Sequence, residues 1–188
     1  MRKLAVLVLF ATLSALSLRA QVAEVFGGYQ YLHMGNITAN GQTVPGSSQG
    51  FNGWNAAGAV KLGRLFGVEG DVGGGYANVS GVGLHTYTYT GGPMLSFNVG
   101  PVRPFVHALA GGARFGESVS GVSASWNGLA VMAGGGLDVK VKKFVALRLA
   151  QVDWMYFHFG SQTIAGTPFP AFSGHNNVRI STGIVLRF

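Results

Sequence analysis

The chain contains no cysteine, which removes disulfide scaffolds, thiolate metal sites and cysteine nucleophiles together. Charge is scarce as well. Asp, Glu, Lys and Arg make up 10% of the sequence against a usual ~25%. Six acids and five histidines leave little material for an elaborate active site. Proline is limited to 6 residues and hydrophobic residues reach 48%, too apolar a composition for a disordered tail or linker. Beyond residue 20 no stretch reads as a membrane helix. The two longest segments free of Asp, Glu, Lys and Arg, Val25 to Val60 and Val72 to Val102, are each interrupted by polar, Gly-rich runs. The basic residues form no stripe, which excludes nucleic acid as a partner. Glycine is what the chain has in excess, at 31 of 188 residues, more than twice its ~7% average share. Because these glycines keep no three-residue period, a collagen-like helix is excluded.

The first twenty residues read as an export signal. Met1-Arg2-Lys3 is a basic start, and Leu4 to Leu13 is an apolar run far shorter than the ~20 residues of a spanning helix. Cleavage is expected after Ala20, with Ser17 as the alternative, which leaves residues 21–188 as one domain. Loss of Arg2, Lys3 and Arg19 leaves ten basic residues against six acids, lowering the formal net charge from +7 to +4.

An exported chain this apolar must place its apolar surface somewhere, and its remaining pattern is a period of two. Alternation recurs in segments about ten residues long, separated by Gly, Asn and Ser, which is the signature of a transmembrane β-barrel. Eight strands are predicted, near 23–33, 51–62, 67–78, 84–99, 103–115, 126–141, 144–158 and 175–188. In the second, Trp54, Ala56, Gly58 and Val60 alternate with Asn55, Ala57, Ala59 and Lys61. The fifth is the least clear, because its Gly and Ala residues leave the facing of His107 open. Short turns at 63–66, 100–102 and 142–144 alternate with long segments, Met34 to Gly50 and Gly160 to Gly174. The fold class is therefore all-β: a closed, eight-stranded, antiparallel, up-and-down transmembrane barrel.

Arg or Lys facing lipid near the bilayer midplane costs ~2–4 kcal/mol, so the charged strand residues should point inward. Lys61, Glu69, Asp71, Asp138, Lys140, Arg148, Asp153 and Arg179 are accordingly assigned to a lumenal charge network. If Gly63 and Gly67 flank one turn and Val141 and Val145 another, Lys61 faces Glu69 and Asp138 faces Arg148. Each is a cross-strand pair of opposite charge on one face. The seventh strand changes parity between Arg148 and Gln151, which predicts a β-bulge in Leu149 to Gln151. Trp54, Tyr76, Trp126, Trp154, Tyr156 and Phe188 are expected to form an aromatic girdle.

Three stretches, GGGLDVKVKKFVALRLAQVDW (Gly134 to Trp154), Gly92-Pro93 before Leu95-Ser96-Phe97, and NNVRISTGIVLRF (Asn176 to Phe188), together resemble the eight-stranded outer-membrane barrels typified by the OmpA transmembrane domain and OmpX. The resemblance covers the whole exported chain. It implies residence in the outer membrane of a Gram-negative-type bacterium, contact with its lipid, and reading of Phe188 by the barrel-assembly machinery.

An eight-stranded barrel is just wide enough for its own side chains, so a plugged polar lumen is expected. The expected role is structural or surface-interacting, carried by the two long loops, with their ligand unspecified. A narrow small-solute channel and a lipid A-modifying hydrolase or acyltransferase are the alternatives. For the enzyme, the best constellation is Asp153, His158 and Ser161, but Asp153 reads as inward and His158 as outward, which separates a base from its orienting carboxylate. Hence no catalytic residue, cofactor or metal is assigned. The Asn36-Ile37-Thr38 and Asn78-Val79-Ser80 triplets are read as chance matches to a glycosylation pattern.

Overall fold

A computed structural model describes residues 23–79, 81–119, 122–164, 167–169 and 171–188. The segment assigned to the export signal lies outside them. Eight strands form the wall: β1 (Ala23–Met34), β4 (Gln49–Lys61), β5 (Phe66–Val79), β6 (Val82–Ser96), β7 (Val102–Val119), β8 (Val122–Lys142), β9 (Val145–Phe159) and β12 (Phe172–Arg187). Each pairs antiparallel with the next, and β1 pairs with β12 to close the barrel. Closure removes every free edge, which is what allows strands to cross hydrocarbon.

The alternation predicted from sequence is the physical basis of the wall. Along β1, Glu24, Phe26 and Gln30 are buried while Val25, Tyr29 and Tyr31 are exposed. On β6, Thr86, Thr88 and Thr90 are buried between the exposed Tyr87 and Tyr89. Val68, Val72, Val106, Leu129, Val152, Trp154, Ile180 and Ile184 continue the exposed set around the circumference. A continuous apolar belt of this size would aggregate in water, whereas it is matched by a bilayer.

The bulge predicted on β9 is present. Leu137 pairs with Ala150 but Asp138 pairs with Arg148, so Leu149 is the extra residue. The partner on the other side, β12, shifts register between Ser181 and Gly183. Leu149 and Ala150 both face outward as a result, and Arg148 and Gln151 both face inward. One inserted residue thus restores the parity of both halves.

The two rims differ. Short connections at 62–65, 97–101 and 143–144 share one rim with the start of β1 and the end of β12. The long segments at the opposite rim hold two small hairpins, β2 (Ile37–Ala39) with β3 (Gln42–Thr43), and β10 (Gln162–Ile164) with β11 (Thr167–Phe169). The β2–β3 turn is Asn40-Gly41, with φ of 51° and 76°. Both central residues are left-handed, as the two-residue hairpin turn that suits strand twist requires, and Asn-Gly is the dipeptide that tolerates it best. β2 also pairs with β12, extending the wall upward on that side.

Trp126 departs from the expected girdle. It is buried and packs inward, because β8 runs to Val122 and keeps the parity of Met132 and Ala130 to its end. Trp54, Tyr76, Trp154 and Phe188 are exposed on the outer face.

Candidate functional site

The interior is built in two layers. Toward the short-turn rim lies a polar layer, formed where inward positions of all the long strands converge. Asp138 of β8, fully buried, stands at its base. Its Oδ1 accepts from Arg148 Nε at 2.9 Å, and its Oδ2 from Arg103 Nη2 at 3.3 Å and Arg187 Nη2 at 3.2 Å. Arg103 also holds Glu24 through both terminal nitrogens, and Arg187 Nε lies 3.4 Å from Glu24. The guanidinium of Arg148 is clasped between the rings of Phe26 and Phe105, at 4.3 and 4.2 Å from their centroids. Its planar cation is suited to this stacking.

Above these residues, Arg179 bridges two strands' carboxylates, reaching Asp71 Oδ1 at 2.7 Å and Asp153 Oδ2 at 2.7 Å. Asn55 donates to Asp71 Oδ2 at 2.8 Å, and Gln151 donates to Asp153 Oδ2 at 2.8 Å. His107, whose facing was open in the sequence, points inward. Its Nδ1 lies 3.0 Å from Glu69 and its Nε2 2.8 Å from Asp153, so it donates to both only as the imidazolium. Carboxylates and cations alternate through the network, so each buried charge meets an opposite one, the condition for holding ions out of water.

Of the eight residues assigned to the network, Glu69, Asp71, Asp138, Arg148, Asp153 and Arg179 are buried in this layer, and Asp138 pairs with Arg148 at the expected register. The Lys61–Glu69 pair is a correction. β5 begins at Phe66, so Lys61 stands opposite Gly67 and Glu69 opposite Ala59. A slip of two residues leaves the face unchanged but replaces the partner, and Glu69 turns to His107 instead. Lys140 keeps the inward face, opposite the buried Ala146, but stands exposed at the short-turn mouth beside Arg103 and Arg187 and makes no ion pair among the described residues. Glu24, Arg103 and Arg187 were missed as members. The signal was available, since Glu24 shares parity with Phe26 and Gln30, and Arg187 with Arg179.

The layer toward the long-loop rim is apolar. Leu32, Met34, Phe51, Leu109, Trp126, Met132, Met155, Phe157 and Phe159 are buried together, with Phe115 and Phe172 against them. Phe115 meets Phe51, Phe159 and Phe172 edge-on, with centroids 6.4 Å away in each case. Met132 links the layers, its sulfur 3.4 Å from Arg179 Nη2. A wholly polar lumen is therefore not what fills this barrel.

The suggested catalytic constellation is not assembled. Asp153 is buried inside, whereas His158 is exposed outside and bonds Ser173 through Nδ1 at 2.9 Å, and Ser161 is exposed beyond the end of β9.

No protein-family model matches the chain, and no curated protein is similar to it. Solved structures are. Ail, the attachment invasion locus protein of Yersinia pestis, in complex with the heparin analogue sucrose octasulfate, is 16% identical. That match has a TM-score of 0.53 over 89% of this chain and 99% of that one. Neisserial surface protein A is 15% identical, with a TM-score of 0.58 over 88% and 97%. The outer membrane protein OprG of Pseudomonas aeruginosa is 12% identical, with a TM-score of 0.56 over 90% and 96%. This chain has the fold of the eight-stranded outer-membrane barrels.

Proposed function

We propose that this chain is an integral outer-membrane protein whose interior is closed by its own side chains and whose role is structural or surface-interacting, exercised through its long-loop rim. The observation that carries the reading is the filling itself. The space left among Glu24, Phe26, Ala57, Ala59, Glu69, Met94, Arg148 and Val185 is about 10 Å³, roughly one water. Above it come the Arg179 ion pairs with Asp71 and Asp153 and then the aromatic layer.

The names of Ail and neisserial surface protein A support a surface role. A sulfated polysaccharide is a poor fit as the partner. Neither Met34 to Gly50 nor Gly160 to Gly174 contains a Lys or Arg, and recognition of clustered anionic groups depends on such cations. A lipid A-modifying activity is disfavoured by the opposite facing of Asp153 and His158. In this reading Phe188, exposed beyond β12, is the residue that the barrel-assembly machinery reads, and outer-membrane lipid covers the apolar belt.

Planar-bilayer recording tests the closed interior. The purified barrel is expected to give no stable openings above background in 1 M salt, and regular discrete openings would instead establish the narrow-channel alternative.

A further inference from the structure

We propose that the mouth of the barrel at the long-loop rim is a binding site for a small organic cation with an aromatic or short aliphatic body. A cavity of about 260 Å³ opens there, above the aromatic layer. Its walls are Met34, Phe51, Leu84, Phe115, Trp126 and Phe172, with Ile37 and Ser47 contributed by the β2–β3 segment. Barrel mouths with apolar walls and a few placed polar groups are common ligand sites. The volume lies just below the ~300–1,000 Å³ of drug-sized pockets, so the occupant is a single ring or a short chain.

One charged group enters this lining, Glu117. It is half-buried on β7, with Leu84 and Ala124 as its cross-strand neighbours, and it has no ion-pair partner among the described residues. No lysine or arginine stands in the rim segments, 34–50, 78–83, 116–126 and 160–174, to neutralise it, and Arg114 lies on the outer face, bonded to Ser125. The other polar groups of the lining are engaged locally. Ser47 Oγ accepts from Ile37 N at 2.9 Å and donates to Val44 O at 2.7 Å, while Gln49 Nε2 donates to Gly50 O at 3.3 Å.

A carboxylate half-withdrawn from water among aromatic rings is complementary to a weakly hydrated cation. Ring faces attract such a cation, and the carboxylate adds a charge-assisted hydrogen bond. A metal ion does not fit, because hard cations need several oxygen ligands and one carboxylate among apolar walls supplies too few.

The test uses the barrel in phosphatidylcholine nanodiscs with Trp54→Phe and Trp154→Phe, substitutions on the outer face that leave Trp126, in the cavity wall, as the sole tryptophan. Phenethylamine is expected to change its emission saturably, and 3-phenylpropionate, similar in size but anionic, is expected not to. Glu117→Gln should weaken the amine about tenfold, the usual scale of a hydrogen bond to a charged group. Absence of a saturable response to the amine, or an equal response to 3-phenylpropionate, would overturn the proposal even if the Gln variant did not fold. So would equal affinity in a folded Gln variant. None of these results alters the conductance test, so failure here is separable from failure of the proposed closed interior.

Discussion

Asp138→Ala is expected to destabilise the folded barrel by about 3–5 kcal/mol, the scale at which a buried ion pair is broken by removing one partner. Three guanidiniums converge on this carboxylate. Arg103 and Arg187 would retain Glu24. Arg148 would be left with no carboxylate, only Gln151 Oε1 at 2.5 Å and two ring faces. The loss is thus dominated by one cation stranded in a dry interior. Asp138→Asn should cost less, because it keeps an acceptor for Arg148 Nε. Urea titration in lipid vesicles, with the folded fraction read from heat-modifiable gel mobility, measures both. An Ala variant within about 1 kcal/mol of the parent, the scale of an exposed pair, would mean that water reaches these charges.

Gly28→Val is expected to abolish barrel closure, with loss of the heat-modifiable band. Gly28 and Gly183 face each other across the seam between β1 and β12. A Cβ on Gly28 would lie 2.1 Å from Thr182 O and 2.8 Å from Gly183 Cα, and one on Gly183 would lie 2.5 Å from Gly28 Cα. These contacts are with backbone, which cannot rotate aside, and the β1–β12 seam is the pairing that closes the barrel. The adjacent Gly27 is the control. A Cβ there meets nothing within 4 Å, so Gly27→Val should fold and leave the seam intact. Equal behaviour of the two variants would show that Val is tolerated or rejected for its strand preference and not for its contacts.

The wall was legible from sequence because lipid outside and ions inside impose opposite chemistry at successive residues. Even the extra residue at Leu149 could be inferred, since Arg148 and Gln151 had to share a face. Where the two faces carry similar chemistry, the pattern falls silent. Strand β7 places Gly and Ala around His107, so nothing revealed that the imidazole bridges Glu69 and Asp153. Near the long-loop rim both faces are apolar or aromatic. Phe157 and Phe159 point inward beside the outward Trp154 and His158, and Trp126, an aromatic near a strand end like the girdle residues, is buried in the interior. The register of Lys61 and Glu69 failed for a different reason. A period of two cannot distinguish pairings two residues apart, and only the turn from Leu62 to Leu65, closed by Leu62 N donating to Phe66 O at 3.0 Å, sets it.

The central claim is that one set of side chains meets hydrocarbon and the other fills the interior, and its most direct test is quenching by lipids brominated along the acyl chain. Three variants, each retaining one tryptophan, are reconstituted in such vesicles. Emission from Trp54 and Trp154 is expected to be strongly quenched and that from Trp126 to be spared. Quenching of Trp126 to the same degree, or indifference of Trp54 and Trp154, would contradict the assignment of faces on which the rest depends.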